Sequence, residues 1–294
     1  MNPDRLLRLD GGRLLAVDHR GPPGARTVLF LHAAPGSRVL DPDPWATATA
    51  GVRLVLYDRP GYGASTALAD GEVPTIAGAA DDAATVIQEV KARQVAVIGW
   101  SAGGLVALAL AARHPELIES VTMLCTPAHE DDVARLPEEH LDLIDALRPD
   151  LPSATGAVVQ ALAPIAHSPG AMLDLLGAGT VDDAVRRSPA HGPRLLSMAQ
   201  EAVKQGVAGV AADIVASSVA PWGFDPGDVE VPVRLWYGAE DELVTPEHGA
   251  YWSGALPQAE LTVVPGAGHL LPLTHWDKIL AASAHSGDGG RKDY

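Results

Sequence analysis

The chain has 294 residues, of which 47% are hydrophobic and 20% charged, enough for one large core. Its 21 Lys and Arg stand against 37 Asp and Glu, a formal charge of -16, and no basic stripe is present to neutralise phosphates. That balance argues against a nucleic-acid partner, and the lone Cys125 excludes an intrachain disulfide and any CxxC metal site.

The first residues, MNPDRLLRLDGGRLL, are charged and lack the apolar stretch of a signal peptide. No uncharged apolar run reaches the 18 residues of a membrane span, so a cytoplasmic protein is expected. Residues 5–9 and 13–19, about Gly11-Gly12, read as a hairpin. Apolar strands follow at 27–32 (TVLFLH) and 52–58 (VRLVLYD), then a helical pattern over 76–91. A third apolar strand, 95–100, runs into a helix over 102–113, and a fourth covers 118–125. From 127 to 220 no convincing strand occurs; helical periodicity is punctuated by prolines, which reads as an insertion. Strand character resumes at 231–238 and 259–266, a helix covers 271–284, and the polar, glycine-rich tail reads as disordered. Strands that alternate with helices imply parallel pairing, and fully apolar strands imply a sheet covered on both faces.

Open α/β sheets place ligands at the carboxyl ends of their strands. The strand 95–100 ends in Gly99-Trp100-Ser101-Ala102-Gly103. A serine at such a strand-to-helix turn reads either as a helix N-cap or as a nucleophile pushed into the open by a strained backbone. The strand 231–238 ends in GAEDELV, which puts Asp241 at the mouth, either as a solvated loop acid or as a catalytic one. The apolar strand stretch 261–264 is followed by PGAGHLLP, with His269 before the last helix. Taken together, Ser101, Asp241 and His269 fall in the order nucleophile, acid, base, each directly after a strand of one inferred sheet. Acyl transfer also needs two N–H donors for the developing oxyanion. Ala102, after the serine, supplies one, and Ala34, in the loop after strand 27–32, is the choice for the other.

At these residues the chain resembles the α/β-hydrolase superfamily. The motifs are HAAPGS (32–37), DRPGYGAS (58–65), GWSAGG (99–104), GAEDELV (238–244) and GAGHL (266–270), and the resemblance spans about residues 12 to 284. It implies an α/β-hydrolase fold, with a mostly parallel central sheet flanked by helices and interrupted by a helical cap. On that reading 1–125 and 221–285 form the core, 126–220 the cap, and 286–294 the disordered tail. The loop after His32 is similar to the esterase and proline-iminopeptidase-like branch, although Ala33 stands where that branch has glycine.

The expectation is a serine esterase acting on a small-molecule ester through an acyl-enzyme on Ser101, with no cofactor and no metal. One alternative is an iminopeptidase-like aminopeptidase, with Glu130, Asp131, Asp132, Glu138 and Glu139 as candidates to bind a substrate ammonium. Another is a non-hydrolytic or ligand-binding member of the fold. His32, Trp100, Tyr62, Trp222 and Trp45 are candidate pocket walls, with core packing open as the other reading of Trp100. Cys125 reads as a buried small hydrophobe.

Overall fold

The structure is a computed structural model that describes residues 2–134, 136–177 and 179–284. Eight strands form one sheet in the order β1-β2-β4-β3-β5-β6-β7-β8. These are β1 (Arg5–Arg8), β2 (Leu14–Arg20), β3 (Thr27–Leu31), β4 (Arg53–Tyr57), β5 (Val95–Trp100), β6 (Ile118–Leu124), β7 (Val233–Gly238) and β8 (Ala259–Val264). β1 pairs with β2, and β2 with β4, antiparallel; every later pairing is parallel.

Successive residues of the central strands point to opposite faces, and both faces are covered. Leu29, Leu31, Val97 and Met123 meet α2 (Ile76–Glu89) and α3 (Ala102–Arg113) on one side. Val28, Phe30, Ala96 and Ile98 meet α1 (Pro44–Ala50) and α11 (Leu271–Ala284) on the other. This is why β3 and β5 are buried at every position. Two helices have no counterpart in the sequence periodicity: α1, capped by the Asp43 carboxylate, and α10 (Pro246–Ala255).

Between β6 and β7 the described residues form six helices: α4 (Glu138–Leu147), α5 (Leu151–Leu162), α6 (Pro169–Asp174), α7 (Gly179–Arg187), α8 (Gly192–Ala202) and α9 (Ala208–Ile214). A π-helical turn, Val215–Val219, extends α9. This helical block has a small core of its own around Ile144, Val158 and Val215. It is also tied to the sheet layer by buried charge. The Arg38 guanidinium bridges Asp58 (2.6 Å) and Glu201 of α8 (2.9 Å), and Arg59 pairs with Asp213 of α9. Among the described residues, no helix is long and apolar enough to cross a membrane. The tail 286–294 lies outside the described residues.

Candidate active site

β5 and α3 meet at Ser101 with almost no intervening chain. Ser101 has φ 54° and ψ -123°, a left-handed conformation that costs a non-glycine residue about 1–3 kcal/mol. Its backbone is held on both sides: its N–H donates to Leu124 O (2.8 Å) and its carbonyl accepts from Gly104 N–H (2.9 Å). Its hydroxyl makes no capping bond to α3, so the N-cap reading fails. Ser101 and Ala102 are partly exposed, whereas the residues immediately around them are buried.

The neighbouring glycines are sterically required. A Cβ on Gly99 would come within 3.0 Å of Gly103 O and Gly104 Cα, and one on Gly103 within 3.0 Å of the Leu31 and His32 carbonyls. These neighbours are backbone and cannot yield. Gly103→Ala is therefore expected to destabilise the fold by about 3 kcal/mol, lowering Tm by roughly 5–10 °C in a thermal melt. An unchanged Tm would show that α3 does not sit this close to the loop after β3.

Asp241 and His269 stand at the ends of β7 and β8. His269 Nδ1 lies 2.9 Å from Asp241 Oδ2, and both side chains are buried. The other oxygen, Asp241 Oδ1, accepts the N–H groups of Leu243 (2.9 Å) and Val244 (2.8 Å). Burial alone would raise the pKa of this carboxyl, but the His269 contact and these two N–H donors outweigh it and hold Asp241 below the usual carboxylate range. Opposite Asp241, His269 Nε2 is buried and has no hydrogen-bond partner among the described residues.

The loop after β3 is set by Arg59, which is buried beneath it. Arg59 Nη1 donates to His32 O (2.6 Å) and Nη2 to Ala33 O (3.1 Å), and the guanidinium is held in turn by Asp213. Burial works against the charge, but Asp213 outweighs it and keeps the guanidinium protonated. In a trans peptide, C=O and N–H point in opposite directions. With Ala33 O turned to Arg59, the Ala34 N–H faces away from it, and Ala34 is partly exposed.

A family profile described as the alpha/beta hydrolase fold matches residues 26–275. The chain belongs to the α/β-hydrolase fold family. It is 28% identical over 274 residues to a pimeloyl-(acyl-carrier protein) methyl ester esterase from Neisseria meningitidis serogroup B, covering 92% of this chain and 95% of that one. Among solved structures it is similar to a thermophilic esterase from Thermogutta terrifontis, with TM-score 0.70, 21% identity, and 95% and 96% of the two chains covered. It is likewise similar to the enol-lactonase from Burkholderia xenovorans LB400, with TM-score 0.67, 21% identity, and 96% and 99% covered.

In this α/β hydrolase several candidate wall residues lie beneath the site instead of lining it. Trp100 is fully buried, and its Nε1–H donates to the His269 carbonyl (3.0 Å). Tyr62 is fully buried, donates to Asp213 (2.7 Å), and packs edge-on against the His32 ring. His32 accepts the Arg59 N–H at Nε2 and contacts Ala33 O through Nδ1. Burial, reinforced by the Arg59 charge, keeps its pKa well below the ordinary histidine value, so it is neutral. None of these three presents surface to a substrate. Trp45, at the start of α1, is 76% exposed and stands on the open surface instead of walling a pocket.

Trp222 differs. It is half-buried, stacks on Trp252 and Phe224, and lines a narrow cavity with Leu105, His129, Ser217 and Ser218. The two serines come from the π-helical turn, which periodicity did not reveal. Of the acidic candidates for an ammonium site, Asp131, Asp132, Glu138 and Glu139 are on the surface, and Glu130 accepts the Leu136 N–H.

Cys125 sits under the site. Its thiol is within 4.8 Å of ligand atoms of Asp241 and His269, the one such group among the described residues compact enough to hold a metal. Those two partners are already hydrogen-bonded to each other. Burial, with the Asp241 charge, pushes the thiol pKa well above its ordinary value, so it stays protonated.

Proposed function

We propose that this α/β hydrolase is a serine esterase acting on small-molecule esters, with Ser101, His269 and Asp241 as its catalytic triad. The observation that carries the reading is the buried His269 imidazole, tied at Nδ1 to ionised Asp241 and without a hydrogen-bond partner at Nε2 among the described residues, together with the strained Ser101 turn after β5 of the same sheet.

His269 Nε2 takes the Ser101 proton as Oγ attacks the ester carbonyl, and Asp241 stabilises the imidazolium that forms. The oxyanion is held by the N–H groups of Ala34 and Ala102. Ala102 is the first residue of α3, where helical N–H groups have no partner within the helix. Each donor is worth about 3 kcal/mol of barrier. The tetrahedral intermediate collapses, His269 returns the proton to the leaving alcohol, and water releases the acid by the reverse sequence. The helical block acts as the cap. Relatives named as methyl ester esterases, and structural neighbours named as an esterase and a lactonase, support an ester carbonyl as the target.

A panel of p-nitrophenyl esters from acetate to decanoate, run beside proline p-nitroanilide, tests this. The expected result is turnover of the esters and no release from the anilide. Anilide release without ester turnover would overturn the esterase reading in favour of an aminopeptidase.

A further inference from the structure

The hydrogen-bonded pair of Asp241 and His269 does not account for a second buried carboxylate close by. Asp182 lies in the first turn of α7, in the helical block, and is completely buried. Its Oδ2 accepts the backbone N–H of His269 (3.0 Å), and its Oδ1 accepts the N–H of Leu270 (2.9 Å). It forms no ion pair with Lys or Arg among the described residues. A buried carboxylate without a cation is costly unless its oxygens are hydrogen-bonded, and an apolar side chain would fill this place on a helix at less cost.

The surroundings are shaped to admit it. A Cβ on Gly268, the residue before His269, would collide with the Asp182 carboxylate, and so would one on Gly177. Gly179, at the start of α7, lies against the Glu242 side chain of the loop that carries Asp241. The N-terminal end of α7 therefore rests on both the acid loop and the base loop. With Trp100 donating to the His269 carbonyl, both backbone polar groups of His269 are held by side chains, one from α7 and one from the end of β5.

We propose that Asp182 is a positioning residue for His269: it fixes the backbone of the base so that Nδ1 meets Asp241 and Nε2 is left to take the Ser101 proton. The proposal rests on the esterase reading above. It makes alignment of the base depend on the helical block being seated on the sheet layer. A misplacement of about 1 Å at a reacting group costs roughly a hundredfold in rate, and a general base has to be held within about 0.5 Å.

Asp182→Asn tests this with nearly unchanged shape. Asn has one acceptor oxygen, so its NH2 must face one of the two N–H groups. The expected result is a fall in kcat for p-nitrophenyl acetate of roughly tenfold to a hundredfold. KM stays within about twofold and fluorophosphonate labelling of Ser101 slows by the same factor, with circular dichroism confirming a folded protein. Asp182→Ala, which removes both acceptors, is expected to lose more; if it fails to fold, Asp182→Asn decides alone. A folded Asp182→Asn with kcat within twofold of the parent, or with its loss entirely in KM, would overturn the positioning role. Ser101→Ala is run alongside: if it is inactive while Asp182→Asn is not impaired, only the Asp182 proposal falls. If Ser101→Ala stays active, the esterase reading itself falls.

Discussion

Ser101→Ala is expected to abolish ester turnover, with kcat lower by roughly five to six orders of magnitude, as when the nucleophile of a triad is removed. The loss should come without loss of structure. The Ser101 hydroxyl caps nothing, and alanine carries the same Cβ through the same left-handed turn. Tm is therefore expected to stay within about 2 °C of the parent, since surface changes away from packing are usually within about 0.5 kcal/mol. Ser101→Gly is expected to be equally inactive but more stable, because glycine adopts φ 54° without the strain of about 1–3 kcal/mol. Steady-state assays on p-nitrophenyl acetate with parallel thermal melts check both statements. Turnover retained in Ser101→Ala would remove Ser101 from the mechanism.

Asp241→Asn should lower kcat by about 10⁴ while leaving the fold intact. Leu243 and Val244 donate to Oδ1, so the amide oxygen of the substituted side chain would stay on that side and its NH2 would turn toward His269. An NH2 facing Nδ1 requires that nitrogen to be unprotonated, which moves the imidazole proton to Nε2. The base then meets Ser101 with a proton already in place. The pH dependence follows from the direction of the Asp241 shift. Its pKa in the folded chain is held below the unfolded carboxyl value of about 3.9. Its favourable charge is thus fully present above that value and is lost only as pH falls through the lower folded value. Any acid-side loss of activity above about pH 5 therefore belongs to other groups. Kinetics of the parent and Asp241→Asn between about pH 5 and 9 test this; a loss smaller than tenfold would contradict the assigned role of Asp241.

The sheet was legible because each buried strand is a short apolar run closed by a turn. β3 and β5 are buried at every position, and β5 holds no charged residue along its length. The three residues of the candidate triad were legible for a related reason: each follows the end of such a strand, where a parallel sheet gathers its loops. α1 and α10 were not. α1 has seven residues and α10 carries little one-sided apolar pattern, so their caps and packing define them, not their periodicity.

The supports of the site were hidden in the sequence. Asp182 meets His269 across 87 residues and Trp100 meets it across 169, from an amphipathic helix and a buried strand end that look ordinary by themselves. Arg59 was visible inside DRPGYG, but its hold on the His32 and Ala33 carbonyls depends on Asp213, which lies far along the chain in α9. Aromatic and histidine residues near the motifs suggested pocket walls. In His32, Tyr62 and Trp100, however, the side chains support the loops around the site from below. The tryptophan inside Gly99-Trp100-Ser101 fills the core and holds the carbonyl of His269.

The central claim is that Ser101 is a nucleophile activated by His269. The most direct measurement is peptide mass spectrometry after treatment of the intact protein with a fluorophosphonate. A nucleophile of this kind gives a single adduct, on the peptide containing Ser101, formed rapidly in the parent and absent in His269→Ala over the same time. An adduct on another residue, or one on Ser101 that forms equally fast without His269, would contradict the claim.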